Sequence, residues 1–239
     1  VPLIAIAGFL TVGCQTPATK TATSPTASSL DVVTGHVFRG PGSQDVDVIG
    51  NGAPAKEARE VSEFSYLDCC ADCDVIVELG KPLSLSVSAD SNLLDRIETK
   101  HSGYTLDICF AGKLHPTGRI TVQLCCPHLP EVVLSNGAHL MVSNANEDKT
   151  RLVLFESTSA VIVGRADTLD AEVSDSANLD ARQLFARNAS ISLMGSGTAS
   201  INVSTQLNVT IRDSGDLFYR GNPTSLQVNI MGTGHLRHE

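Results

Sequence analysis

Leu193-Met194-Gly195-Ser196-Gly197-Thr198-Ala199 and, beginning eighteen residues later, Ile211-Arg212-Asp213-Ser214-Gly215-Asp216-Leu217 share one frame: apolar, any, small, any, small, any, apolar. Working outward, the same frame reads at Cys69–Val75, Leu134–Leu140, Phe155–Val161, Val173–Leu179 and Ile230–Leu236. Its fifth position is Cys73, Ala138, Ser159, Ala177, Gly197, Gly215 and Gly234, so nothing larger than a thiol stands there. The frames end at 140, 161, 179, 199, 217 and 236, in steps of 21, 18, 20, 18 and 19 residues. A regular step of that length is the mark of a stacked solenoid.

Each frame is flanked two residues away by further apolar positions, Leu67, Val132, Val153, Ile191 and Val209 before it and Val77, Val142, Val163 and Ile201 after it. Every second residue therefore faces inward, which is strand alternation. Where the inward row shrinks to Gly, Ala or Ser, the backbone can bend and neighbouring coils can approach. The unit reads strand, corner, strand. The expected fold is all-β: a single-stranded parallel β-helix or β-solenoid with coils of about 18–21 residues. A helix fails against the period-two pattern, and an antiparallel sandwich, the rival, does not explain the even step. Leu140 comes 65 residues after Val75, roughly three coil lengths. The residues between them hold alternating candidates at Leu83–Val87, Tyr104–Phe110 and Arg119–Cys126, so the N-terminal coils are expected to be the less regular ones.

The 239 residues divide by composition. Residues 1–14 are an apolar run closing on Gly13-Cys14, too short to span a bilayer but suited to a signal peptide. Leu10-Thr11-Val12-Gly13-Cys14 resembles a bacterial lipobox, so Cys14 is the expected lipidation site and the membrane a partner through that anchor. A cleaved, unlipidated signal and an unrelated apolar end are the alternatives. Residues 15–47 are a Thr/Ser/Pro-rich tether and lead-in that cannot bury a core, and residues 48–239 are the solenoid. Gln15, in place of Asp, favours the outer membrane of a bacterial envelope, with the periplasmic or surface side open. A net charge of −9 with no basic run argues against nucleic acid. With no Trp and three Tyr, a sugar-binding platform of exposed aromatic faces has little to build on.

Setting Cys14 aside leaves Cys69, Cys70, Cys73, Cys109, Cys125 and Cys126, all in the first half of the solenoid segment 48–239. An even number in an exported protein makes them candidates for disulfides, among fifteen connectivities. Alternation turns Cys69, Cys73 and Cys126 inward and Cys70 and Cys125 outward. Buried free thiols are one alternative; a metal site using Cys70-x-x-Cys73 with His115 or His128 is another and weaker one. The carboxylate pairs Asp72/Asp74, Asp213/Asp216 and Asp175/Asp180 invite a β-helix carbohydrate-active enzyme, a lyase or hydrolase. Such acids also serve turns, and no nucleophile motif, phosphate loop or calcium repeat accompanies them, so no catalytic residue and no cofactor is expected.

The lead Arg59-Glu60-Val61-Ser62-Glu63-Phe64, the frame ending Asp74-Val75, and the runs Ala89-Asp90-Ser91-Asn92-Leu93-Leu94, Thr105-Leu106-Asp107-Ile108, Pro127-His128-Leu129 and Ser214 to Pro223 carry a resemblance. Over about residues 48–237 the chain resembles the bacterial family of auto-transporter adhesin head GIN domains. The resemblance implies an exported β-solenoid without a settled activity and supplies no catalytic residue. The expectation is a non-enzymatic, lipid-anchored envelope protein with a binding or structural surface, its partner an envelope protein or a glycan. The enzyme and an envelope-signalling accessory are the alternatives.

Overall fold

Alternation turns each repeat into two strands joined at a corner, and the computed structural model, which describes residues 47–239, stacks these units as the coils of a parallel β-solenoid. Strands β1 (Asp47–Ile49) and β2 (Pro54–Arg59) lead in, and β3 (Tyr66–Cys69) and β4 (Asp74–Leu79) form the first coil. An irregular stretch follows: β5 (Ser84–Asp90), β6 (Ile97–Ser102), β7 (Thr105–Phe110), β8 (Lys113–His115) and β9 (Thr121–Cys126). The regular stack then runs through β10 (Glu131–Leu134), β11 (His139–Leu154), β12 (Ser159–Asp175), β13 (Asn178–Gly195), β14 (Thr198–Asp213), β15 (Asp216–Arg220), β16 (Ser225–Gly232) and β17 (His235–His238).

The 58 residues between the first two frames do not insert three coils between them. Leu134 pairs directly with Cys69, and Leu140 with Val75. The intervening chain instead leaves the stack and returns on the outer side of the first coil, where β7 lies parallel to β3 and β9 parallel to β4, with Ile108 against Cys69 and Val122 against Val75. The coil that comes first in sequence is thus second in space. Antiparallel strands finish this end: β5 pairs with β9 and β2, and β6 with β7. Asp90, nearly buried, pins the excursion by accepting from the Thr117 N–H and hydroxyl, both at 2.8 Å.

Two apolar columns run up the core. One is Ile108, Cys69, Leu134, Leu154, Val173, Leu193, Ile211 and Ile230; the other is Val122, Val75, Leu140, Ala160, Leu179, Ala199, Leu217 and Leu236. Large and small residues alternate along the middle of the second, which lets the layers interlock. These columns correct one frame. Leu154, not Phe155, pairs with Leu134, and Ala160, not Val161, with Leu140. Val161 is 39% exposed, and the inward flanks of this coil are Leu152 and Ile162. With the frame at Leu154–Ala160 the ends fall at 140, 160, 179, 199, 217 and 236, and the steps become 20, 19, 20, 18 and 19. The fifth residue here is Thr158, fully buried, its hydroxyl donating to the Phe155 carbonyl at 2.9 Å.

The small column is a backbone ladder. The carbonyls of Cys73, Ala138, Thr158, Ala177 and Gly197 accept from the N–H groups of His139, Ser159, Asn178, Thr198 and Asp216 on the next coil, at 2.9 to 3.2 Å. Gly197, Gly215 and Gly234 follow one another on neighbouring coils, as the repeat requires: a methyl added at Gly197 would overlap the Ala177 carbonyl, and one at Gly234 the Gly215 carbonyl. The third position of the frame makes the corner. Asn136, Glu156, Asp175 and Asp213 have φ between 56° and 71°, and Gly195 has 110°, the left-handed region that Gly, Asn and Asp tolerate best.

Candidate functional site

Charged outward side chains form ladders that pair from coil to coil. Arg151 reaches Glu131 at 3.5 Å, Asp170 at 3.0 Å and Glu172 at 2.7 Å across three coils. Burial alone would lower its pKa, but Asp170, Glu172 and Glu131 outweigh it and hold the guanidinium charged. The carboxylates singled out in the sequence are occupied in the same way. Arg119 binds Asp74 at 2.5 Å and Asp72 at 3.1 Å, and its pKa is raised by them. Asp180 is held below the usual carboxylate range by its hydrogen bond from Arg182 at 2.6 Å. Asp175 accepts the Glu156 N–H at 3.1 Å, and Asp216 takes both the N–H and the ring of His235 at 3.0 Å. Asp213 sits at a left-handed corner. These acids serve corners and ion pairs.

The six cysteines separate by face. Cys69, Cys73 and Cys126 are buried, whereas Cys125 is half-buried. Because Cys69 lies beside Ile108, outward Cys70 lies beside Cys109, and the two are joined as a disulfide with Cα atoms 5.1 Å apart. It fastens the displaced coil to its neighbour. The Cys69 and Cys73 sulfurs stand 3.7 Å apart inside the core as free thiols. The Cys69 hydrogen bond and burial push the Cys73 thiol far up, and burial pushes Cys126 up to about 12, so both stay protonated. His115 pairs with Asp47 and His128 with Glu147. Among the described residues no three His, Cys, Asp or Glu gather closely enough to hold a metal ion. Cys14 lies outside the described residues.

One feature breaks the ladders, and the sequence reading missed it. At the second bend of the coils from β11 to β14 the strand pairing slips: Ala181 pairs with Ile201, but the next matched pair is Phe185 with Asn202. The extra residues change the phase of β13. Arg182 and Gln183 both face out, Leu184 turns into the core and Phe185 turns out, 62% exposed. Phe185 stands in an outward row with Asn146, Arg165 and Asn202, one residue from each of four adjoining coils at about 4.8 Å spacing. Asp148, Asp167 and Arg187 line the same groove of about 420 Å³, with Arg187 3.9 Å from Asp167. An apolar face ringed by amides, guanidinium groups and carboxylates can stack against one side of a polar ligand while hydrogen-bonding its rim. Two consecutive exposed polar residues before an apolar pair were the only sequence signal for the slip.

A family model described as putative auto-transporter adhesin, head GIN domain, matches residues 63–223. Among solved structures, a putative adhesin from Bacteroides fragilis NCTC 9343 aligns with a TM-score of 0.68 at 16% identity, covering 80% of this chain and 100% of that one. A putative adhesin from Parabacteroides merdae ATCC 43184 gives 0.53 at 18% identity, over 81% and 99%. A protein from Parabacteroides distasonis ATCC 8503, called a putative lipid binding protein, gives 0.50 at 21% identity, over 81% and 100%. At these identities the likeness is one of fold. No curated protein matches in sequence.

Proposed function

Because the chain belongs to the auto-transporter adhesin head GIN domain family, we propose that it is a non-enzymatic, adhesin-like protein of the bacterial cell envelope that holds a surface glycan in the groove around Phe185. Membership fits an exported or cell-envelope protein, and the adhesin names of its neighbours fit a binding role. The observation that carries the reading is the outward phenyl ring of Phe185 among Asn146, Arg165, Asn202 and the Asp167–Arg187 pair. Sugars present alternating C–H faces and hydroxyl edges, which suit such a mixture. Glycosidic hydrolysis would call for two unpaired carboxylates around a bond, and of the three acids lining the groove, Glu147, Asp148 and Asp167, Glu147 pairs with His128 and Asp167 with Arg187. A lipid anchor at Cys14 and a tether over residues 15–47 would hold the solenoid off the outer membrane.

The groove is tested by glycan-array binding and by recovery of the protein on intact envelopes. Phe185→Ala and Arg165→Ala should each reduce binding at least tenfold while the melting temperature stays near wild type; unchanged binding in both would overturn the glycan reading. The anchor is tested separately. Metabolic labelling with a palmitate analogue should mark the wild type and not Cys14→Ser, and equal labelling would remove the lipoprotein claim.

A further inference from the structure

The two ends of the solenoid are unlike. At the first end the edge strands are blunted: β2 carries Pro54, Lys56, Glu57 and Arg59, and β6 carries Glu98, Lys100 and His101. Proline and charge are the usual protection against strand-to-strand association. At the other end β16 pairs, among the described strands, with β14 alone, and from Ser225 to Gly234 there is neither a charge nor a proline. Its inward residues continue the core columns, and no other described strand is stacked on them. Leu207, Val209 and Ile211 are buried, but their successors Leu226, Val228 and Ile230 are 45%, 45% and 41% exposed. The edge is a bare cross-section of the core.

We propose that this edge pairs with the same edge of a second copy, so that the protein forms a head-to-head dimer in which β16 runs antiparallel to its counterpart across a two-fold axis. A head-to-tail stack would set β16 against the charged, proline-bearing strands of the first end. A chain of net charge −9 repels its copies over most of its surface, and this neutral strip is where two can meet without that cost. Antiparallel register keeps like faces together when paired residue numbers share parity. Centring on Val228 is the register that matches the whole inward row: Leu226 opposes Ile230, Val228 opposes itself, and Gln227 opposes Asn229 on the outer face. The shorter β17 carries Arg237, so β16 leads the contact. The inference goes beyond the groove and does not depend on it.

Sedimentation equilibrium of the full chain in mild detergent tests it. The wild type should pass from monomer to dimer with concentration and stop there. Asn229→Lys, outward and away from the core, should weaken association on the order of a hundredfold with circular dichroism and melting unchanged. Under oxidation Val228→Cys should lock a covalent dimer through its two-fold position, and Leu226→Cys, which faces Ile230, should not. A wild type that stays monomeric, open-ended polymers, a lysine variant that dimerises as well as wild type, or equal cross-linking by both cysteines would each overturn the proposal.

Discussion

A Cβ placed on Gly215 would sit 2.9 Å from the carbonyl oxygen of Gly197 and 3.4 Å from the Cβ of Leu193. The space at this corner is thus set by the backbone of the preceding coil, which cannot rotate away. Gly215→Leu should cost about 1–3 kcal/mol through overpacking. Thr210→Leu, on the outward face of the same turn, should stay within about 0.5 kcal/mol. Urea midpoints measure both. A harmless leucine at 215 beside a damaging one at 210 would mean the two faces are exchanged.

Asp175 tests the corner itself. Its φ of 58° is left-handed, and its carboxylate accepts the Glu156 N–H. Asp175→Ala loses the acceptor and keeps the strained φ, whereas Asp175→Gly loses the acceptor alone. The alanine variant should be less stable than the glycine variant by about 1–2 kcal/mol. Equal melting temperatures would remove the conformational argument.

The Cys70–Cys109 bridge spans 39 residues, and closing a loop of that length in the unfolded chain corresponds to about 3–4 kcal/mol in the chain-entropy treatment. Reduction, or Cys70→Ala with Cys109→Ala, should lower the denaturant midpoint accordingly. The loss should appear first in amide exchange over residues 84–126, while the later coils keep their protection. Uniform loss along the chain would show that the bridge is not a local fastening.

Among the described cysteines, Cys125 should react with iodoacetamide in the folded protein, and Cys69, Cys73 and Cys126 only after unfolding. Burial raises Cys126 from near 9 to about 12. The fold therefore favours the thiol over the thiolate. That contribution to stability is complete below pH 9, where the unfolded thiol is also protonated, and is lost as the pH climbs from 9 towards 12. Cys126→Val should flatten the alkaline fall in urea midpoint; an unchanged slope would remove Cys126 as its source.

The coils were legible because alternation and the small column repeat in every frame, and both follow from local packing. The frame near 155 is ambiguous by one residue in the sequence, because Leu154 and Phe155 are both apolar, as are Ala160 and Val161, and the corner holds Glu156 where the later coils hold Asp or Gly. The even step does favour the right register, since ends at 140, 160 and 179 give 20 and 19 where 161 gives 21 and 18. The excursion between Val75 and Leu140 was not legible, since Leu134 alternates in the same way whether it stacks on Cys69 or on Cys126. The same ambiguity hid the disulfide partner, because Cys70 meets Cys109 only once β7 is known to lie beside β3. Phe185 escaped notice because a phase slip between Arg182 and Leu184 reverses the faces, and periodicity carried through from Ala181 would put it inside.

The displaced first coil makes the molecule unequal in what it can lose or gain. Removing residues from the far end takes off one turn at a time and leaves a shorter stack. Removing β3 and β4 takes out a turn held between β7 and β10 on one side and between β9 and β11 on the other, and splits the column in its interior. Lineages that vary the length of this fold are therefore expected to duplicate or delete turns beyond residue 134, with the opening strands inherited as a fixed block.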